Sequence, residues 1–86
     1  GVEEIIPTEQ QRRMLDMIEI ARKETELDYL QIFELERFRE LQKITHRQEQ
    51  PEFEKEYLMA ARKVVEVKVF VIDSGRHCTM LLAIEY

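Results

Sequence analysis

The sequence contains one cysteine, Cys78, which excludes an internal disulfide and a metal site built from several thiolates. It also lacks any apolar run approaching the ~18 residues of a membrane span, and no signal peptide is visible. A lone cysteine in an apolar strand behaves as a small hydrophobic residue. These absences indicate a reducing compartment, and we expect a cytoplasmic protein without membrane contact.

Basic residues are too few and too scattered to form a phosphate-binding stripe. Thirteen Lys and Arg are dispersed among eighteen Asp and Glu, which gives a net charge of −5. This balance disfavours nucleic acid as a partner. Hydrophobic residues at 44% are enough for one core, and charged residues of both signs at 36% cover its surface. We therefore expect residues 1–86 to form a single small domain.

Only two glycines and two prolines interrupt the chain, and neither glycine belongs to a phosphate-binding loop. Directly after Pro7, residues Thr8–Gln11 predict a capping box at the start of a helix. Apolar residues then recur at helical spacing: Met14, Leu15, Ile18 and Ala21, widened by Met17 and Ile20. The pattern predicts an amphipathic helix from Thr8 to about Lys23, whose apolar face needs a sheet or another helix to cover it.

The clearest strand signal runs from Val64 to Asp73, where four valines occupy alternate positions. Residues 73–76 predict a turn, because Asp bonds to its own backbone and Gly75 adopts positive φ. Residues His77–Tyr86 then return as a second strand. Apolar residues on both faces predict burial on two sides, in the middle of a sheet or against another chain. This hairpin, with Cys78 in its core, is the expected hydrophobic centre.

Residues 24–49 are ambiguous when taken alone. They lack Gly and Pro and are rich in good helix formers, yet the apolar residues of 28–35 follow no helical period. One interpretation is a helical hairpin over residues 8–49 with a two-stranded ribbon after it. The other is a pair of strands ending near the break at Gln50–Pro51. An isolated two-stranded ribbon is only marginally stable, which favours the strands.

Four ordered blocks resemble a family of short, uncharacterised proteins of Gram-positive Firmicutes and their mobile elements, catalogued as the domain of unknown function nine hundred and sixty. The blocks are Leu27–Leu35, Ile44–Pro51, Val69–Asp73 and Thr79–Leu82. The resemblance spans nearly the whole chain and implies a hairpin, although residues 36–40 lack the turn residues of other members. It also implies an N-terminus that starts a few residues before Gly1, and it supplies no activity, cofactor or catalytic residue.

Together these elements predict an α+β fold, with the N-terminal amphipathic helix packed across one face of a four- to five-stranded antiparallel sheet. The expected strands are Leu27–Glu36, Leu41–Glu49, Val64–Asp73 and His77–Tyr86, with a short additional strand near Phe53–Leu58.

We expect no catalytic, cofactor-binding or metal site, and no small-molecule substrate. His77 and Cys78 are neighbours in a strand, so their side chains face opposite sides and cannot share a metal ion. Asp73, Ser74 and His77 lie close in sequence, but a polar hairpin turn uses the same residue types. A catalytic triad would also need a strained serine and an oxyanion hole.

The sequence favours a small non-enzymatic protein-binding or regulatory module, acting on an unidentified protein partner or as a homodimer. A polar edge strand within residues 42–56 would expose backbone groups that recruit another chain. The alternative is a nucleic-acid-binding module with a basic-aromatic sheet face, although interleaved glutamates would repel phosphates. The candidate interaction surface comprises Tyr29, Phe33, His46, Arg47, Phe53 and Tyr57.

Overall fold

A computed structural model describes all residues from Gly1 to Tyr86. Its elements are α1 (Val2–Ile5), α2 (Thr8–Glu24), β1 (Leu30–Phe38), β2 (Leu41–Gln48), β3 (Phe53–Met59), β4 (Val67–Asp73), β5 (Cys78–Leu82) and a 3₁₀ turn (Ala83–Glu85). All strand pairs are antiparallel, in the order β3-β2-β1-β4-β5. The predicted α+β class, with a helix before an antiparallel sheet, is confirmed, and the helical hairpin is excluded.

The centre of the sheet is β1, and the C-terminal hairpin does not occupy it. The hairpin supplies Val65, Val69, Val71 and Leu82 to the core, but its predicted position in the middle of the sheet is wrong, because β1 pairs with β2 on one side and β4 on the other. This leaves β5 as an edge strand. Cys78, expected in the core, is exposed at the start of that edge.

One face of the sheet is covered by α2. Its buried side chains Met14, Met17 and Ile18 pack in one cluster with sheet residues of a single face. Those sheet residues are Phe33, Leu35, Ile44, Val69, Val71 and Leu82. Burying each large apolar side chain contributes about 1.5–3 kcal/mol. Leu15 and Ile20 stay 43% and 38% exposed, so the buried stripe of α2 is narrower than the sequence predicted.

The predicted capping box at Thr8 does not form. Pro7 occupies the N-cap position and Thr8 is the first helical residue. Gln11 instead donates from Nε2 to the backbone carbonyl of Ile6, 2.8 Å away. That carbonyl lies in the extended residue between α1 and α2, so the glutamine ties the two helices together.

Buried glutamines explain why two strands start later than predicted. Gln42 accepts the N–H of Val65 at 2.8 Å and donates to the carbonyl of the same residue at 3.0 Å. Its amide therefore substitutes for a neighbouring strand, and β4 joins the sheet only at Val67. In the same way, Gln48 accepts the N–H of Asp28 at 3.0 Å, so β1 begins at Leu30.

Two further strand limits have local causes. β1 and β2 are joined by the two-residue loop Arg39-Glu40, and Arg39 adopts a φ of 58° without being glycine. β5 ends at Leu82, not Tyr86, because the chain turns into the 3₁₀ segment. There the carboxylate of Glu85 accepts the N–H of Leu82 at 3.4 Å.

Candidate binding groove

The six residues of the predicted interaction surface do not come together. Phe33 and His46 are fully buried beneath α2, with their rings stacked at a centroid distance of 4.4 Å. Phe53 packs edge-on against His46 at 5.6 Å. The prediction that Phe33 and His46 lie at the surface is therefore wrong. They alternate into the helix-covered face, and β2 is an interior strand.

The other predicted residues are divided between the two faces of the sheet. Tyr57 lies half-buried on the helix side of β3, whereas Arg47 points to the open face and pairs with Glu34, Nε to Oε2 at 3.1 Å. Tyr29 precedes β1 and is 61% exposed. Phe33, Phe53 and Tyr57 lie on the helix side of the sheet and Arg47 on its open face, so these residues do not form one basic-aromatic face.

His46 belongs to a buried hydrogen-bond network. Gln31 Nε2 donates to the carbonyl of Asp28 and to Gln48 Oε1, both at 2.8 Å, which fixes Gln31 Oε1 as the acceptor toward His46 Nε2 at 2.6 Å. His46 Nε2 therefore carries the proton, and Nδ1 has no partner. Burial lowers the pKa of His46 to about 4. The imidazole is a neutral part of the core at pH 7.

Residues Asp73, Ser74 and His77, which lie close together in the sequence, belong to the β4–β5 turn. Asp73 Oδ1 accepts the N–H of Gly75 at 2.7 Å, and Ser74 Oγ donates to the carbonyl of His77 at 3.0 Å. The φ of Gly75 is 91°, as the turn prediction requires. These polar side chains help to hold the turn closed.

The sheet has two free edges, and they differ in charge. The predicted edge within residues 42–56 is correct only for its last part, because β2 lies inside the sheet. On β3, the consecutive charges of Glu54, Lys55 and Glu56 protect the edge. Lys55 donates to Glu24 at 3.0 Å, which raises the pKa of Lys55. On β5, residues Cys78–Met80 carry no charge.

Backbone groups of β5 point outward at its first half. Ser74 donates its N–H to the carbonyl of His77, so alternation along the antiparallel ladder pairs Thr79 with Ile72 through hydrogen bonds. The N–H and C=O groups of Cys78, Met80 and Leu82 then face away from β4. The carboxylate of Glu85 accepts a hydrogen bond from the N–H of Leu82. The outward groups of Cys78 and Met80 have no backbone partner.

A cavity of about 320 Å³ lies beside this edge, which we call the β5 groove. It is bounded by α2, by the loop before β1 and by the β4–β5 hairpin. Its walls are Leu15, Asp16, Ile18, Glu19, Arg22, Leu27, Asp28, Gln31, Val71, Asp73 and Cys78. The exposed Leu15 contributes one apolar wall, with Ile18, Leu27 and Val71 continuing it. The volume falls at the lower end of the range for ligand pockets.

The rim of the β5 groove is acidic. Arg22 is its only cation, and Arg22 Nε already pairs with Glu19 Oε1 at 3.2 Å. The three aspartates Asp16, Asp28 and Asp73 take part in no salt bridge. No group of three or more His, Cys, Asp or Glu side chains is arranged to hold a metal ion. The groove therefore combines an apolar floor with unneutralised carboxylates.

Sequence reasoning did not find this groove, because its walls come from segments far apart in the chain. One signal is present, since Leu15 belongs to an apolar stripe of α2 that is wider than one core face needs. From the sequence the carboxylates are predicted only as surface charges or turn residues, and Cys78 is predicted to lie in the core.

The open face of the sheet carries a second apolar feature. Leu30, Phe70, Ile72 and Leu81 are half-buried there, around the buried Ile32. The ring of Tyr86 packs edge-on against Phe70 at 5.3 Å. The two-sided cover predicted for the C-terminal hairpin is thus only partly provided within one chain.

None of the helices has the length and apolar character needed to cross a bilayer. Searches of the curated proteins and of the solved structures each found no significant match. A family model, DUF960, described as a Staphylococcal protein of unknown function, matches residues 1–85. The match covers almost the entire helix-and-sheet architecture described above, and the chain belongs to the DUF960 family.

Proposed function

We propose that the protein is a non-enzymatic, cytoplasmic protein-binding module that takes up an extended segment of a partner along β5. The observation that carries the proposal is the uncharged edge of β5, with outward backbone groups of Cys78 and Met80, beside the β5 groove. An added strand hydrogen-bonds to such an edge, while alternate side chains enter pockets next to it. A cytoplasmic location keeps the exposed thiol of Cys78 reduced.

The short edge limits what backbone pairing contributes. Cys78 and Met80 offer four outward groups, and each hydrogen bond adds about 0.5–1.5 kcal/mol net. Such pairing alone gives weak binding, so a side chain of the partner must also occupy the β5 groove. The non-enzymatic part of the proposal is supported by the turn role of Asp73 and Ser74 and by the burial of His46.

A proline at the edge tests strand addition. Cys78→Pro removes one outward N–H without removing a bond to β4, since edge positions tolerate proline where the N–H faces solvent. Cys78→Ala is the matched control, because it loses the thiol but keeps the N–H. Random peptides displayed on phage are selected on the wild-type protein, and binding is then measured for both variants by fluorescence anisotropy.

We expect Cys78→Pro to weaken the selected peptides at least tenfold and Cys78→Ala to leave them unchanged. Hydrogen exchange at the amides of Cys78 and Met80 should slow when peptide is bound. A selection that returns no binder, or binders indifferent to the proline, contradicts strand addition at β5.

A homodimer through the open face is the second candidate. It is favoured by the half-buried side chains of Phe70, Ile72 and Leu81, which one chain leaves partly uncovered. Size-exclusion chromatography with light scattering distinguishes the two masses. A mass of two chains that Phe70→Lys reduces to one supports the dimer, whereas a single-chain mass up to about 100 μM contradicts it.

A further inference from the structure

The chemistry of the β5 groove specifies which side chain it takes. We infer that the segment bound along β5 carries a lysine or arginine whose aliphatic stem lies on the apolar floor and whose charged end lies among Asp16, Asp28 and Asp73. This inference rests on the proposed strand addition, since β5 supplies the backbone that aligns the segment with the groove.

The floor suits the stem of a basic side chain. Leu15, Ile18 and Leu27 line the side formed by α2 and the loop, and Val71 lines the side formed by the sheet. Long basic side chains bury their methylene groups against such surfaces while the charged end remains near water. The 43% exposed Leu15 gives the stem an apolar surface that the protein itself leaves uncovered.

The rim suits the charged end. Asp28 accepts the N–H of Gln50 at 3.2 Å and Asp73 accepts that of Gly75 at 2.7 Å, so both carboxylates are held in place by the backbone. Asp16, exposed on α2, borders the same cavity. Each carboxylate can accept further hydrogen bonds, and none has a cation. An arriving ammonium or guanidinium group supplies the missing positive charge.

Other occupants fit this geometry less well. An anionic side chain would be repelled by the carboxylates, and a purely apolar one would reduce their hydration without neutralising them. A metal ion is disfavoured because the acidic groups do not converge into a set of ligands. The basic side chain alone satisfies both the floor and the rim.

The test uses one selected peptide and a matched peptide in which its basic residue is replaced by leucine. The triple variant Asp16→Asn, Asp28→Asn, Asp73→Asn removes the three charges but keeps an acceptor oxygen for Gln50 and Gly75. Glu54→Gln on the β3 edge is the control for general attraction to an acidic protein. Thermal unfolding confirms that each variant is folded.

We expect the triple variant to weaken the basic peptide about tenfold and the leucine peptide less than twofold. Glu54→Gln should leave both unchanged. Equal weakening of both peptides, or the same effect from Glu54→Gln, overturns the inference. Selected peptides that Cys78→Pro weakens but that are not enriched in Lys or Arg also overturn the inference, while they leave strand addition intact. If Cys78→Pro binds the selected peptides as tightly as the wild type does, the proposed function itself is contradicted.

Discussion

The buried imidazole of His46 makes the stability of this fold depend on pH in a predictable direction. Its Nε2 donates to Gln31, its Nδ1 has no partner, and the ring is 0% exposed against Phe33. Burial lowers the pKa of His46 to about 4, while an unfolded histidine has a pKa near 6.5. Between these two values the unfolded chain binds a proton that the folded chain does not.

The size of the effect follows from the two pKa values. Stability from the neutral imidazole is fully present above about pH 6.5 and is lost as pH falls toward 4. Lowering the pH from 7 to 5 should reduce the free energy of unfolding by about 2 kcal/mol through this residue. Below both pKa values the loss reaches about 3 kcal/mol. For a chain of this length, these amounts are a large fraction of the total stability.

The assay is urea denaturation at pH 5, 6 and 7, comparing the wild type with His46→Leu. The variant removes the titrating group, so subtracting its profile cancels the carboxylates that begin to titrate near pH 5. At pH 7 the variant should be less stable by about 1–3 kcal/mol, because Gln31 Oε1 loses its donor in a buried site. At pH 5 the difference should shrink by about 2 kcal/mol. His77→Gln, at an exposed position, should follow the wild type.

Parallel profiles for the wild type and His46→Leu would refute the reasoning. They would mean that the imidazole accepts a proton in the folded state without penalty, through solvent or a rearranged Gln31. Imidazole chemical shifts recorded by NMR give a direct check, since His46 should remain neutral in the folded protein at pH 5.

Two further predictions concern the backbone. Gln42→Leu should destabilise the fold by about 2–4 kcal/mol, because it leaves both backbone groups of Val65 unpaired in a buried site; urea denaturation measures the loss, and the exposed Gln50→Leu should stay within about 0.5 kcal/mol. Arg39→Gly should stabilise the protein by about 1 kcal/mol, since glycine adopts the φ of 58° without the steric cost of a Cβ; a lower melting temperature would contradict this account of the β1–β2 loop.

The helix and the number of strands follow from residue patterns, but the strand limits do not. α2 has a 3.6-residue apolar period and β4 a two-residue one, so both are visible in a single sequence. Gln42 and Gln48 do not follow such a pattern, because their side-chain amides bond to backbone groups of segments some twenty residues away, where a neighbouring strand would otherwise pair. A pattern of polarity assigns a glutamine to the surface, and only the tertiary packing shows that it is buried and fully bonded.

The prediction of a six-residue interaction surface is wrong for a related reason. The sequence groups Phe33 and His46 with exposed aromatic and basic residues, because strand alternation shows which residues share a face but not which face is covered. The pairing of Phe33 with His46 across β1 and β2 places both on one face, and the position of α2 over that face buries them. The walls of the β5 groove depend on register and on the position of α2 together, and neither is encoded in a local pattern.

The position of the groove follows from the dimensions of the two layers. Five strands about 4.8 Å apart span about 19 Å between the outer strand axes, whereas a helix with its side chains is about 10–12 Å across. α2 alone cannot cover such a sheet, and α1 adds contacts mainly with β5, so part of each flank stays uncovered. Leu15 and Ile20, the exposed apolar residues of α2, line these two strips, in cavities of about 320 and 270 Å³.

The two cavities are similar in volume but not in chemistry, and this difference favours β5. On the Ile20 side the edge strand β3 carries three consecutive charged residues, and the charged side chains that border the cavity, Arg13 and Asp16, are of opposite sign. On the Leu15 side the edge is uncharged and the rim is acidic. If incomplete cover by α2 were only a consequence of small size, both edges would need the same protection against added strands. Protection of β3 alone supports the proposal that β5 is the edge that receives a partner strand.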